Sequence, residues 1–172
     1  MVNARRRIRE QRRAREFQAF TAGAGGRLLH VATLLTGDPG EAERLVVAAL
    51  SRTYADWFRM RGEDPYAHAR QELTAGYAHR AWRYRRPCGG RLDRLPPRER
   101  LVLVLRMYEG LADEQAAAQL GLPTERLRTL CGRAVAAMRS RDPAGRASRA
   151  RDPVGRDPGG RDTGARGAGG PA

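Results

Sequence analysis

The chain has 172 residues, room for one ordinary domain or two small ones. Its formal net charge of +14 and pI of about 11.4, with every basic residue an Arg, call for a polyanionic partner. No run approaches the roughly 18 apolar residues of a membrane span, and the N-terminus lacks a signal-peptide core, so a cytoplasmic protein with no membrane association is expected.

In chain order, residues 1–16 form a basic arm with Arg5-Arg6-Arg7 and Arg12-Arg13, expected to be disordered. Residues 17–86 read as three helices. Phe17, Phe20, Leu28, Val31, Ala32 and Leu35 supply the apolar stripe of the first, although Gly23, Gly25 and Gly26 weaken its middle. Asp38-Pro39 carries a cap and a first-turn proline for the second, which runs to about Met60 on Ala42, Leu45, Val46, Ala49, Leu50, Tyr54, Trp57 and Phe58. Asp64-Pro65 repeats that signal for a third helix, expected to reach Arg86. Residues 87–92 are a short linker. Residues 141–172 repeat Arg-Asp-Pro among Gly and Ala and hold almost nothing a core can bury, so this tail is expected to be disordered.

Residues 93–140 have the layout of a helix-turn-helix. Pro97 to Tyr108 reads as a helix closed by Glu109-Gly110, and Asp113 to Leu120 as a short one. Gly121 supplies a left-handed turn, Leu122 plugs the corner, and Thr124 is expected to cap a last helix. That helix turns Leu127, Leu130, Cys131, Ala134, Val135 and Met138 inward. Its other face carries Thr124, Glu125, Arg126, Arg128, Thr129 and Arg133. A recognition helix requires this division, because one face docks it while the other meets base edges and phosphates in the major groove. A plain helical hairpin with a solvated face remains the alternative. With no period-two segment, the fold class is all-α: two small helical domains, residues 17–86 and 93–140, between disordered Arg-rich termini.

The order of these pieces resembles the extracytoplasmic-function group of bacterial RNA polymerase sigma factors over roughly residues 17–140. The residues that carry the likeness are Thr36-Gly37-Asp38-Pro39-Gly40-Glu41-Ala42-Glu43-Arg44-Leu45-Val46, Tyr54-Ala55-Asp56-Trp57 and Asp64-Pro65-Tyr66-Ala67. Tyr77 to Arg86, Leu92-Asp93-Arg94-Leu95-Pro96-Pro97-Arg98-Glu99-Arg100 and Tyr108-Glu109-Gly110-Leu111 complete it. The resemblance implies a region 2 that binds the polymerase clamp and melts the −10 element, and a region 4 that binds the −35 element. By the same resemblance Glu43, Arg44, Leu45, Val46, Val47 and Leu50 fall on the polymerase-binding helix. Tyr77, His79, Trp82, Arg83, Arg85 and Arg86 fall where −10 DNA is gripped, an aromatic ring stacking on a base and Arg holding phosphate; core packing is the other reading of Tyr77 and Trp82. The implied partners are promoter duplex DNA, core RNA polymerase and an anti-sigma factor, with no cofactor and no metal. Three positions depart from the usual family pattern: Arg44 for an acidic residue, Val47 for Gln and Ala75 for Asn. The family's polymerase surface opposite residues 44 and 47 is rich in Arg.

Two other functions stay open, a sigma-like DNA-binding regulator that does not initiate and a nucleoid-type protein without sequence preference. An enzyme is not expected: His30, His68 and His79 stand apart, no Ser or Cys nucleophile motif occurs, and the early glycines follow no strand. Cys88 and Cys131 lack partners at metal-ligand spacing and read as a loop thiol and a small core residue.

Overall fold

The computed structural model describes residues 2–60, 62–86 and 89–140. The expectations for Cys88 and for the tail from residue 141 lie outside these. Among the described residues every regular element is helical, and the fold is all-α.

Helix α1 runs unbroken over Val2–Thr36, so the basic arm is helical where disorder was expected. Two i,i+4 ion pairs explain part of this: Arg6 Nε donates to Glu10 Oε1 at 2.9 Å and Arg12 Nε to Glu16 Oε1 at 2.7 Å. No Gly or Pro interrupts residues 2–22, so the helix nucleated downstream extends backward at little cost. The three glycines cost roughly 1 kcal/mol each relative to Ala. Fully buried Leu28, Val31 and Leu35, each worth about 1.5–3 kcal/mol, outweigh them.

Helix α2 spans Pro39–Asp56 and α3 Pro65–His79. Both start as expected: Asp38 Oδ1 accepts from Glu41 N at 2.7 Å, and Asp64 accepts from the backbone of Tyr66 and Ala67. Such caps are worth about 1 kcal/mol. The second helix stops short of Met60, and the third does not reach Arg86. Arg80 leaves the helical region at φ −105, ψ 15, and a 3₁₀ segment, Ala81–Arg85, follows. It tightens the chain enough to fold Tyr84 back into the core, stacked on Tyr77 with ring centroids 4.8 Å apart.

Helix α4, Pro97–Leu103, runs on through a π-turn, Val104–Tyr108, and is followed by α5, Asp113–Leu120, and α6, Thr124–Arg139. The described residues fall within one compact unit, Met1–Ser140. A single apolar cluster joins Leu28 and Leu35 of α1, Leu45 of α2 and Leu73 of α3 to Leu105 of the π-turn and Leu127 of α6.

Two buried charges tie α4 and its π-turn to α1 and α3. Arg100, 1% exposed, donates from Nη1 to the Leu35 carbonyl at 2.7 Å and from Nη2 to the Leu95 carbonyl at 3.2 Å. The Glu109 carboxylate, with no side-chain exposure, accepts from Nε and Nη2 of Arg27 (3.1 and 3.3 Å), from the Tyr66 hydroxyl (2.8 Å) and from Arg70 (3.4 Å). Gly37 and Gly90 let the linker lie against the α1–α2 corner: a β-carbon on Gly90 would stand 2.7 Å from the Gly37 Cα.

Candidate nucleic-acid interface

The α5–α6 unit is built from local chemistry. Asp113 and Glu114 lie in the first turn of α5, where carboxylates complement the helix dipole, and Gln115 Oε1 accepts from Ala112 N at 3.2 Å. Gly121 closes the helix at φ 62, ψ 35, as its place in the turn requires. The Leu122 N–H then returns to the Ala117 carbonyl at 2.9 Å, and the Leu122 side chain packs on the core. Thr124 departs from expectation. It is the first residue of α6, its cap position is Pro123, and no side chain caps the helix.

Along α6, Leu127, Leu130 and Ala134 are buried, while Glu125, Arg126, Arg128, Thr129 and Arg133 are exposed and Thr124 is half-buried. The period of 3.6 that buries the first set necessarily presents the second. The presented arginines differ. Arg128 is clamped by Asp113 (2.9 Å), Glu114 (3.3 Å) and Glu125 (2.6 Å). Its hydrogen bond is the main reason that the Asp113 carboxyl titrates below its ordinary value of 3.8. Arg126 and Arg133 have no carboxylate partner among the described residues, and their spacing of seven puts them on the flank of α6 away from Arg128.

The residues expected at −10 DNA split in two. His79, Trp82, Arg83, Arg85 and Arg86 are exposed, Trp82 by 69%. Tyr77 is corrected: it is fully buried, its hydroxyl donates to the Pro97 carbonyl at 3.4 Å, and burial pushes its ionisation well above the usual range. Its position on the inner face of α3, against Tyr84, makes it a core residue.

The polymerase-helix set divides by the same logic. Leu45 and Val46 are core residues on the inner stripe of α2 and are not available to a partner, and Leu50 is half-buried. Glu43, Arg44 and Val47 are exposed, Val47 by 63%. Arg44 is held by Glu41 at 2.9 Å, and Glu41 also takes Arg83 at 3.4 Å. Cys131 is half-buried on the inner side of α6, and desolvation pushes its thiol up, as suits a small core-edge residue.

Arg85 and Arg126 are among the site residues expected from the sequence, and their neighbours are not. Both line one groove of about 980 Å³, together with Arg94 and Arg98. The three-and-four spacing of Arg91, Arg94 and Arg98 was the available signal. No described helix is long and apolar enough to cross a membrane.

A search of curated proteins finds no match to the chain. Residues 91–140, which hold all of α4 to α6, match the family model described as Sigma-70, region 4, and this likeness points to a sigma-like DNA-binding transcription factor rather than an enzyme.

Proposed function

We propose that this protein is a sigma factor of the extracytoplasmic-function type, which binds core RNA polymerase in the cytoplasm and directs it to specific promoters. The observation that carries the reading is the coincidence of the region 4 match with a presented α6 face of Arg126, Thr129 and Arg133 on a helix-turn-helix. Those side chains suit the major groove of a −35-type duplex, Arg toward guanine edges or phosphate and Thr toward phosphate. Residues 17–86 act as the region 2-like domain and 93–140 as the region 4-like domain. On α2 the polymerase meets Glu43, Arg44 and Val47, with Leu45 and Val46 supporting them from beneath. An anti-sigma factor is a partner that this reading accommodates.

One observation favours a second reading, a DNA-binding regulator that does not initiate. Arg44 and Val47, which replace the acidic residue and Gln usual in the family, are both exposed on α2, where they would meet a partner. In vitro transcription with purified core polymerase separates the two. Initiation that depends on the added protein, at templates enriched by binding selection, is expected. Selective binding without initiation would leave the regulator, and binding without sequence preference would leave neither.

A further inference from the structure

Many arginines of the described residues have a carboxylate partner within 4 Å, among them Arg27, Arg44, Arg52, Arg70, Arg83 and Arg128. The four that line the groove of about 980 Å³ do not: Arg85 on the 3₁₀ segment, Arg94 and Arg98 around the start of α4, and Arg126 on α6. Arg94 donates to the Ser140 carbonyl at 3.4 Å; Arg85, Arg98 and Arg126 make no ion pair among the described residues. All four side chains are exposed. The floor between them is apolar, built by Leu95, Leu101, Leu120, Leu122 and Leu130. The carboxylate on its wall, Asp93, is 3.5 Å from buried Arg100.

We infer that this groove seats the phosphate backbone of the DNA strand bordering the α6 site, so that Arg85, outside the helix-turn-helix, is a DNA contact of the same surface. Three features carry this. Unpaired like charges on a low-dielectric floor focus their field on an incoming anion more strongly than the same charges spread over a polar surface. The groove is continuous with α6: Arg126 and Leu130 line it, and Arg133 shares the Arg126 flank. In a helix-turn-helix the recognition helix enters the major groove while neighbouring elements cross the flanking backbone. The start of α4 and the 3₁₀ segment are those neighbours here, held to each other by the stacked Tyr77 and Tyr84 and by the Tyr77–Pro97 hydrogen bond. Backbone contact carries no base information, so the groove adds affinity and register without sequence preference.

The inference rests on the reading of α6 as a duplex-binding helix, and the experiment keeps the two apart. Duplex binding by the full chain is measured against salt concentration for wild type, Arg85→Gln, Arg98→Gln, their double variant, Arg133→Ala and the control Arg59→Gln. Arg59 is exposed and paired with Asp56 away from the groove, and its replacement changes net charge by as much as each single groove variant. Each phosphate that is no longer neutralised should reduce the log–log salt slope by about 0.9, so the double variant should fall by nearly two, equally on selected and unselected duplexes. The control should not change, and Arg133→Ala should lose preference for the selected site. An unchanged slope in the double variant, with Arg133→Ala still impaired, overturns the groove assignment and leaves the α6 reading standing. Wild-type binding without any sequence preference overturns the α6 reading, and no duplex binding at all by the wild type overturns both. Undiminished duplex binding by the double variant, together with abolished binding to an acidic polypeptide such as polyglutamate, overturns the assignment in favour of a protein partner.

Discussion

Replacing Glu109 by Gln keeps the shape of the side chain and removes only its charge, which isolates the buried ionic cluster between the π-turn and the first helices. The carboxylate is wholly inaccessible and accepts from Arg27, Tyr66 and Arg70. Removing one partner of a buried ion pair costs about 3–5 kcal/mol, because the other charge is left in a poor solvent. The two guanidiniums here are not equivalent. The Arg27 side chain is 51% exposed and rehydrates easily, whereas that of Arg70 is only 14% exposed and bears most of the penalty. The Gln carbonyl still accepts from Tyr66, but its amide turns a donor toward the arginines. The lower end of the range is therefore expected, about 3 kcal/mol, equivalent to roughly 10 °C in Tm for a unit of this size. Urea and thermal melts followed by far-UV circular dichroism measure it, and a cycle with Arg70→Met should return a coupling of about 1–3 kcal/mol. A loss below about 0.5 kcal/mol, the level of an ordinary surface change, would mean that Glu109 does not fasten the π-turn to α1 and α3.

Gly25→Ala should stabilise by up to about 1 kcal/mol, because its β-carbon meets nothing within 4 Å, whereas Gly90→Ala should destabilise, because its β-carbon would lie 2.7 Å from the Gly37 Cα; urea midpoints of the two variants should move in opposite directions. Because Arg128 holds the Asp113 carboxyl below its ordinary value of 3.8, the stability from that pair is fully present above this pH and is lost as pH falls through the lowered folded value. The urea midpoints of wild type and Asp113→Asn should therefore differ at neutral pH and converge in acid; a gap that does not change with pH would refute the pairing. Arg44→Asp with Val47→Gln should tighten binding to core polymerase by about a hundredfold, since two unmade polar contacts at a buried interface cost about 1–3 kcal/mol each. Titration of labelled core enzyme checks this, and tight wild-type binding left unimproved by the double variant would restore these positions as adequate polymerase contacts.

The features legible along the chain are mostly local. Asp38-Pro39 and Asp64-Pro65 start helices because cap and first-turn proline act within four residues. Gly121 turns left-handed because a residue without a β-carbon adopts that conformation at little cost, and the three-and-four spacing of Leu127, Leu130 and Ala134 sets which face of α6 is presented. Whatever depends on distant partners was settled by packing. Tyr77 and Trp82 are both aromatic and both neighbour basic residues, yet one is fully buried and the other 69% exposed, because the break at Arg80 redirects the chain and folds Tyr84 onto Tyr77. Leu45 and Val46 are core while Val47 beside them is exposed, a division set by which side of α2 meets α1 and α3. Arg128 and Arg126 are chemically identical in the sequence; only the packing of α5 against α6 brings Asp113 and Glu114 to the first and leaves the second in the groove with Arg85 and Arg98. Charge pairing is a property of positions in space. Spacing along one helix announces such a partner only where it lies a turn away, as for Glu125 and Arg128.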